Sequence, residues 1–356
     1  MMRIRNLSFG LAFLVFSVVM SGCGSGGSSP TPAPGDTSTT APTPAPSAGD
    51  AALAALTGSI NIDGSSTVEP ITSAAADAFK KVAPNVQISV GQKGTGAGIK
   101  AFIAKEIEVC DASRPITLKE LAAAKANGVD TVEIPVAYDG LTVVVNKKNT
   151  FATSMTTEEL RKLWDEKSTI KSWNEINPAW PNQPIHLFGP TPVHGSFEFF
   201  TTVIVKTPKK CRKDYQQCTD YSGVAQGVGQ DENGLGYLGL GYYTQNTDTL
   251  NPVSVDSGKG PVLPSKKTVL DGTYTPLTRI LAIYVAKSAL AEPQTKAFLK
   301  FVVGDTVKAL IETPDVGYVD LPDSVYAAAQ ARIDNGTTGS VLATAKPGTK
   351  AEDLFH

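Results

Sequence analysis

"TVEIPVAYDGLTVVVN", Thr131 to Asn146, reads as a long apolar strand signal with a turn or bend around Asp139-Gly140. A second long apolar run, "TRILAIYVA", Thr278 to Ala286, stands well downstream. The two flank the middle of the chain, so they are expected to be the crossings between two lobes. Lobe one then holds residues 58–145 and 276–345, lobe two holds 146–275, and 346–356 is a C-terminal tail.

Upstream of the first run, "GSINID" precedes an apolar series at helical spacing, from Ile71 through Ala75 and Phe79 to Val82. "VQISV" alternates as a strand, and "GAGIKAFIAKE" returns to helical spacing. Thr117 and Glu120 form a capping box that opens the next helix. Downstream, Thr156 and Glu159 cap another helix, "PIHLFG" is a strand, "GSFEFFTTVIV" a helix and "GLGYLGLGYY" a glycine-rich strand region. Strands alternating with helices predict an α/β fold with mostly parallel sheets and crossover helices.

The N-terminus stands apart from this pattern. Arg3 and Arg5 precede an apolar stretch from Leu7 to Met20, and small residues lead into Cys23. Residues 1–22 therefore read as a signal peptide, and Cys23 resembles the lipid-bearing cysteine of a bacterial lipobox. Residues 23–57, rich in Pro, Ser and Thr, read as a lipid-anchored, disordered linker. This places the folded body outside a cytoplasmic membrane, on its outer face or in the periplasm or cell envelope.

Lys plus Arg is 32 against Asp plus Glu 34, and aromatics are sparse, which argues against nucleic acid as a partner. Cys211 and Cys218 bracket a short polar loop and are expected as a disulfide in an exported protein, whereas Cys110 reads as a buried small hydrophobe. The three histidines have no ligand-spaced partners, so no metal or other cofactor is expected.

Helix starts carry the functional signal. "DGSSTVEP", "GTGAG" and "VHGSF" each place small or hydroxyl residues at a strand-to-helix junction. Unpaired N–H groups and the helix dipole make such junctions anion sites. Ser66 and Glu69 also fit a capping box. Arg114, in "CDASRP", lies in a loop and has the side chain best suited to phosphate or carboxylate.

These segments, with "PVAYDGLTVVVN" and "GLGYLGLGYY", resemble the phosphate-binding proteins of bacterial phosphate ABC transporters over about Gly58 to Ile311. The resemblance implies a two-lobed periplasmic-binding-protein-like clamp, each lobe a mixed, mostly parallel sheet flanked by helices. It implies binding of one inorganic phosphate and delivery to an ABC-type permease, by a chain expected to be a monomer. The alternative is an oxyanion sensor or structural lipoprotein of the same fold. The implied ligand groups are Ser66, Thr67 and Val68, then Thr95 and Gly96, then Ser113 and Arg114, then Gly195 and Ser196. The chain departs from the family at Val193 and His194, where a carboxylate and a serine are usual. With no arginine in that loop, Arg114 becomes the expected cation and His194 an added polar wall of the site.

Catalysis is not expected. His194-Gly195-Ser196-Phe197 lacks the second glycine of a nucleophile elbow, and no further histidine follows except His356 in the tail. "GTGAG" lacks dinucleotide spacing.

Overall fold

No turn interrupts Thr131–Asn146. All 16 residues form one buried strand, against the bend expected at Asp139-Gly140. The ladder continues through that point because Asp139 and Gly140 are paired with Arg279 and Thr278. The computed structural model describes residues 48–313, 316–346 and 348–356. The expected signal peptide, Cys23 and most of the linker lie outside the described residues.

In chain order the strands are β1 (Gly58–Gly64), β2 (Val86–Val90), β3 (Val109–Ala112), β4 (Thr131–Asn146), β5 (Ser154–Thr156) and β6 (His186–Pro190). They continue with β7 (Gln216–Cys218), β8 (Gly234–Gly239), β9 (Leu250–Pro252), β10 (Ser254–Asp256), β11 (Pro261–Val262) and β12 (Thr278–Ala286). The main path runs β2-β1-β3-β12-β4-β8-β6-β7, with β9 also on β4. β5, β10 and β11 make a separate small sheet.

β4 belongs to both ends of that path. Its residues 131–140 pair with β12, and its residues 141–146 pair with β8 and β9. Near its start Pro135 faces Ala282 while Ala137 faces Leu281, which leaves Val136 as a bulge. Proline offers the ladder no N–H, so a bulge is where a strand accommodates it.

β1, β2 and β3 are mutually parallel, as are β6, β7 and β8, so each end of the sheet brings its strand carboxyl ends to one edge. Helices cover the faces. The helix Glu69–Val82 buries Ile71, Thr72, Ala75 and Phe79. Phe79 packs edge-on to Phe298 and Phe301 of the helix Pro293–Val302. The capping boxes at Thr117 and Thr156 form as expected.

The segment expected as a tail is packed onto the body. Ala351 and Phe355 are buried, and the Ala351 N–H donates to the Tyr138 hydroxyl at 2.6 Å. Just before it, the buried Glu133 carboxylate accepts from Val341 N, Leu342 N, the Tyr284 hydroxyl and the Ser340 hydroxyl. Burial raises the Glu133 pKa in spite of those donors.

The expected disulfide is also corrected. Cys211 and Cys218 are free, buried thiols. Each Sγ faces a backbone carbonyl, Cys211 that of Arg212 and Cys218 that of Gln216. Burial pushes the Cys211 thiol up to about 12 and raises that of Cys218, which favours the protonated thiol at both.

Phe79 is fully buried between the two helices. Phe79→Ala should destabilise by about 3–5 kcal/mol, lowering the urea midpoint at unchanged slope. A loss below about 1 kcal/mol would mean the site collapses to fill the cavity.

Candidate functional site

The parallel strands deliver three loops to one place. After β1, Ser65 turns the chain: its hydroxyl accepts from Thr67 N, and its carbonyl accepts from Val68 N and Glu69 N. The capping box expected at Ser66 and Glu69 is therefore absent, and the cap residue is Val68. This leaves the Ser66 hydroxyl free to meet the Gly195 N–H at 3.3 Å.

Asp63 fixes the spacing between the first two loops. Its Oδ1 accepts from Gly64 N at 2.8 Å and Lys93 N at 3.0 Å, and its Oδ2 pairs with Lys93 Nζ. The Lys93 ammonium and these backbone donors hold its pKa below the usual value against the opposing effect of burial. Gly64, at φ 139°, lies so close to Asp111 that a Cβ would sit 2.2 Å from the Asp111 carbonyl oxygen.

The second and third loops lock together. The Thr95 hydroxyl accepts from Ser113 N at 3.1 Å and lies 3.1 Å from the Ser113 hydroxyl. Thr95 and Gly96 open the helix Thr95–Ile103, where no earlier turn can accept from their N–H groups. The fourth loop comes from the other end of the sheet, after β6. A Cβ on Gly195 would sit 2.3 Å from Thr67 Oγ1 and 3.3 Å from Ser113 Oγ, so only glycine permits this approach. A cavity of about 320 Å³ opens over Ser65, Ser66, Thr95 and Gly195, with Lys93, Glu198 and Lys209 at its edge.

The buried cation is not the expected one. Arg114 makes a two-pronged pair with Glu120, both contacts 2.9 Å, so its charge is already matched at the margin of the site near Gly96. Arg279, missed by the sequence reading, lies at the centre with only 8% of its side chain exposed. Its Nε and Nη2 donate to Asp139 Oδ2 at 2.9 and 2.7 Å. Nη1 donates to the carbonyls of Ser113 at 2.9 Å and Gly195 at 3.4 Å, and Nη2 also reaches Thr67 Oγ1 at 3.4 Å. Its guanidinium carbon stands 4.2 Å from the Phe199 ring centre. The sequence offers only a partial signal: Arg279 stands in one long apolar strand, and the other carries two acidic residues, Glu133 and Asp139, either of which could have met it.

His194 is a helix cap. Its Nδ1 accepts from Ser196 N at 3.2 Å, the work a serine or aspartate hydroxyl or carboxylate does at other helix starts. Its ring lies 4.9 Å from that of Tyr221. Burial first, and Arg279 second among the lowering influences, bring its pKa down to about 4 although Asp139 opposes them. The ring is therefore neutral across pH 6–8.

Ser196 is fully buried, with its N–H on His194 and its hydroxyl on the Tyr221 hydroxyl. The structure thus gathers Ser66, Thr67, Thr95, Ser113 and Gly195, sets Gly96 and Arg114 at the margin, and engages the N–H groups of Val68 and Ser196 within their own loops. No cluster of metal-ligating side chains occurs among the described residues. Beneath the first loop, the fully buried Asp111 accepts from the Thr72 hydroxyl at 2.7 Å, and its Oδ1 has no partner. Burial pushes its carboxyl up to about 8.

A model of the PBP (periplasmic-binding-protein) superfamily domain matches residues 40–306. Protein SphX of a Synechocystis species is 40% identical over 287 residues, 80% of this chain and 84% of that protein. The phosphate-binding protein PstS of Staphylococcus saprophyticus is 34% identical over 331 residues, 92% of this chain and 93% of its own. Among solved structures, a possible phosphate-binding protein of Planctomyces limnophilus aligns with TM-score 0.72 and 42% identity, covering 80% of this chain and 100% of that one.

Two buried groups set the pH dependence. His194 has a folded pKa below its ordinary 6.5, so the unfolded chain takes the proton first and stability falls as pH drops from 6.5 towards about 4. His194→Ser should remove that decline, and the wild-type ring should titrate by NMR with a midpoint well below 6. A midpoint at 6.5 would mean that the ring is solvated.

Asp111 acts in the opposite direction. Its folded pKa lies above the ordinary 3.8, so the unfolded chain ionises first and stability falls as pH rises from 3.8 to about 8. In Asp111→Asn the urea midpoint should lose this slope between pH 5 and 8. Parallel curves for the two proteins would show that the carboxyl is ionised in the fold.

Proposed function

The chain belongs to the PBP superfamily, in one family with the phosphate-binding proteins it matches, and on that premise we propose that it binds inorganic phosphate outside the cytoplasm for an ABC-type permease. One observation carries the reading. Loops from both ends of the sheet bring hydroxyls and helix-start N–H groups together around a single buried arginine. Such fixed donors replace the water around an oxyanion, and the loops' small residues allow it close approach. Binding without turnover follows from the donor set, which holds an anion and presents no activated nucleophile to it.

Residues 58–145 with 276–345, and residues 146–275, are in this reading the two lobes of a clamp. The transfer of β4 from β12 to β8 at Gly140-Leu141 supports that division. Ser66, Thr67, Thr95, Ser113 and Gly195 supply the oxyanion contacts, with Arg279 in place of Arg114 as the central charge. Residues 1–22 direct export and Cys23 carries the lipid, so a monomeric receptor works on a tether at the membrane surface. The similarity to named phosphate-binding proteins over most of the chain supports the ligand.

Calorimetric titration with phosphate and then sulfate tests this. Phosphate should bind at one site, and with a Kd of about 1 μM, about 1 mM phosphate should stabilise the fold by about 4 kcal/mol. Ser113→Ala should weaken binding about tenfold, the loss of one hydrogen bond to a charged group. Absence of both heat and thermal shift with phosphate would sink the reading.

A further inference from the structure

We propose that Arg279, fixed by Asp139, is the positioning residue that couples the seating of the oxyanion to the placement of the two ends of the sheet relative to each other. The inference rests on the phosphate reading for its ligand, but its geometry is independent of it. Arg279 and Asp139 face one another on β12 and β4, one pair before β4 passes from β12 to β8. Any change in the angle between the two ends of the sheet must be accommodated near this pair.

The guanidinium has five N–H bonds and the structure gives all five a protein acceptor. Its contacts divide by strength. Those to Asp139 and to the Ser113 carbonyl lie between 2.7 and 2.9 Å, so the group is held firmly to β4 and to the loop after β3. Two contacts are 3.4 Å, at the long limit for a hydrogen bond: one to Thr67 Oγ1 in the loop after β1, and the only one that crosses to the other end of the sheet, to the Gly195 carbonyl. Phe199, five residues past His194, covers the guanidinium face from the same side as Gly195. Arg279 is therefore a strut anchored at one end and loosely engaged at the other, and the loose joint is the loop that must approach an anion seated on Thr95 and Ser113.

Asp139 makes this arrangement tolerable without ligand, because a buried guanidinium with no countercharge would be strongly destabilising. It also directs the fork: with Nε and Nη2 on one carboxylate oxygen, Nη1 is aimed at the two carbonyls. Lysine keeps the charge, but a single ammonium cannot span a carboxylate and two carbonyls.

The test uses the full chain as wild type, Arg279→Lys and Asp139→Asn, with amide hydrogen exchange and calorimetry, and Phe79→Ala as a control for general destabilisation. In wild type, saturating phosphate should protect both residues 94–98 and residues 194–200. Arg279→Lys should bind about tenfold or more weakly. At saturation it should protect residues 94–98 while leaving 194–200 as exposed as without ligand. Asp139→Asn, which keeps the arginine, should show the same split, and Phe79→Ala should not. Without ligand, both site variants should speed exchange at 194–200 more than Phe79→Ala does. Protection of both segments in Arg279→Lys at saturation would overturn the proposal and leave Arg279 as a simple ligand. If wild type ignores phosphate, the functional reading fails. The ligand-free comparison then decides the strut, which is overturned if exchange at 194–200 in Arg279→Lys matches the Phe79→Ala control.

Discussion

The buried pair Arg279–Asp139 is the constraint around which the rest is arranged. β4 and β12 are two long, largely apolar strands, although β4 also buries polar side chains such as Glu133 and Thr142. At one register position they place a guanidinium against a carboxylate that is wholly buried. Ion pairs removed from water give little net stability. This one nevertheless organises its surroundings, because the arginine has donors left after pairing with Asp139 and they reach Ser113, Thr67 and Gly195. The loops that converge on it come from strands far apart in the chain.

Around that centre the loops are tied by short polar links. Asp63 holds the loop after β1 to the loop after β2, and Thr95 holds the latter to Ser113. These links use side chains at the margins and leave the first N–H groups of the helix at Thr95 facing the common point. Anion affinity in such a design comes from donors that are already in place, and their fixing is part of the fold. The half-satisfied Asp111 below the first loop belongs to the same economy of space: Gly64 and Gly98 bring backbone so close to β3 that its carboxyl is sealed from water.

The loop at His194 shows how a residue can change while its geometry is kept. Where relatives by resemblance carry a serine, the imidazole supplies the cap acceptor to Ser196 N. A ring in that role must keep Nδ1 unprotonated, and burial against Tyr221 enforces it. The residue that looked most like an acid–base group is the one whose position most firmly removes its charge.

The sequence by itself determined the alternation of strand and helix, both capping boxes at Thr117 and Thr156, the two long apolar strands and the family to which the chain belongs. Those depend on local periodicity, on turn chemistry and on motifs of contiguous residues. Five of the residues expected at the site are gathered there by the fold: Ser66, Thr67, Thr95 and Gly195 were picked out by helix-start motifs, and Ser113 by the loop motif CDASRP. What only the tertiary structure decided is which charge enters the site. Arg114 lies beside the motifs, but Glu120, six residues on in the first turn of the next helix, takes both its prongs. Arg279 lies 165 positions from Arg114 and reaches the site only because β12 pairs with β4 in one register. The continuity of β4 through Asp139-Gly140, the free thiols at Cys211 and Cys218, and the docked C-terminal segment were likewise settled by packing between elements distant in sequence, which no local pattern encodes.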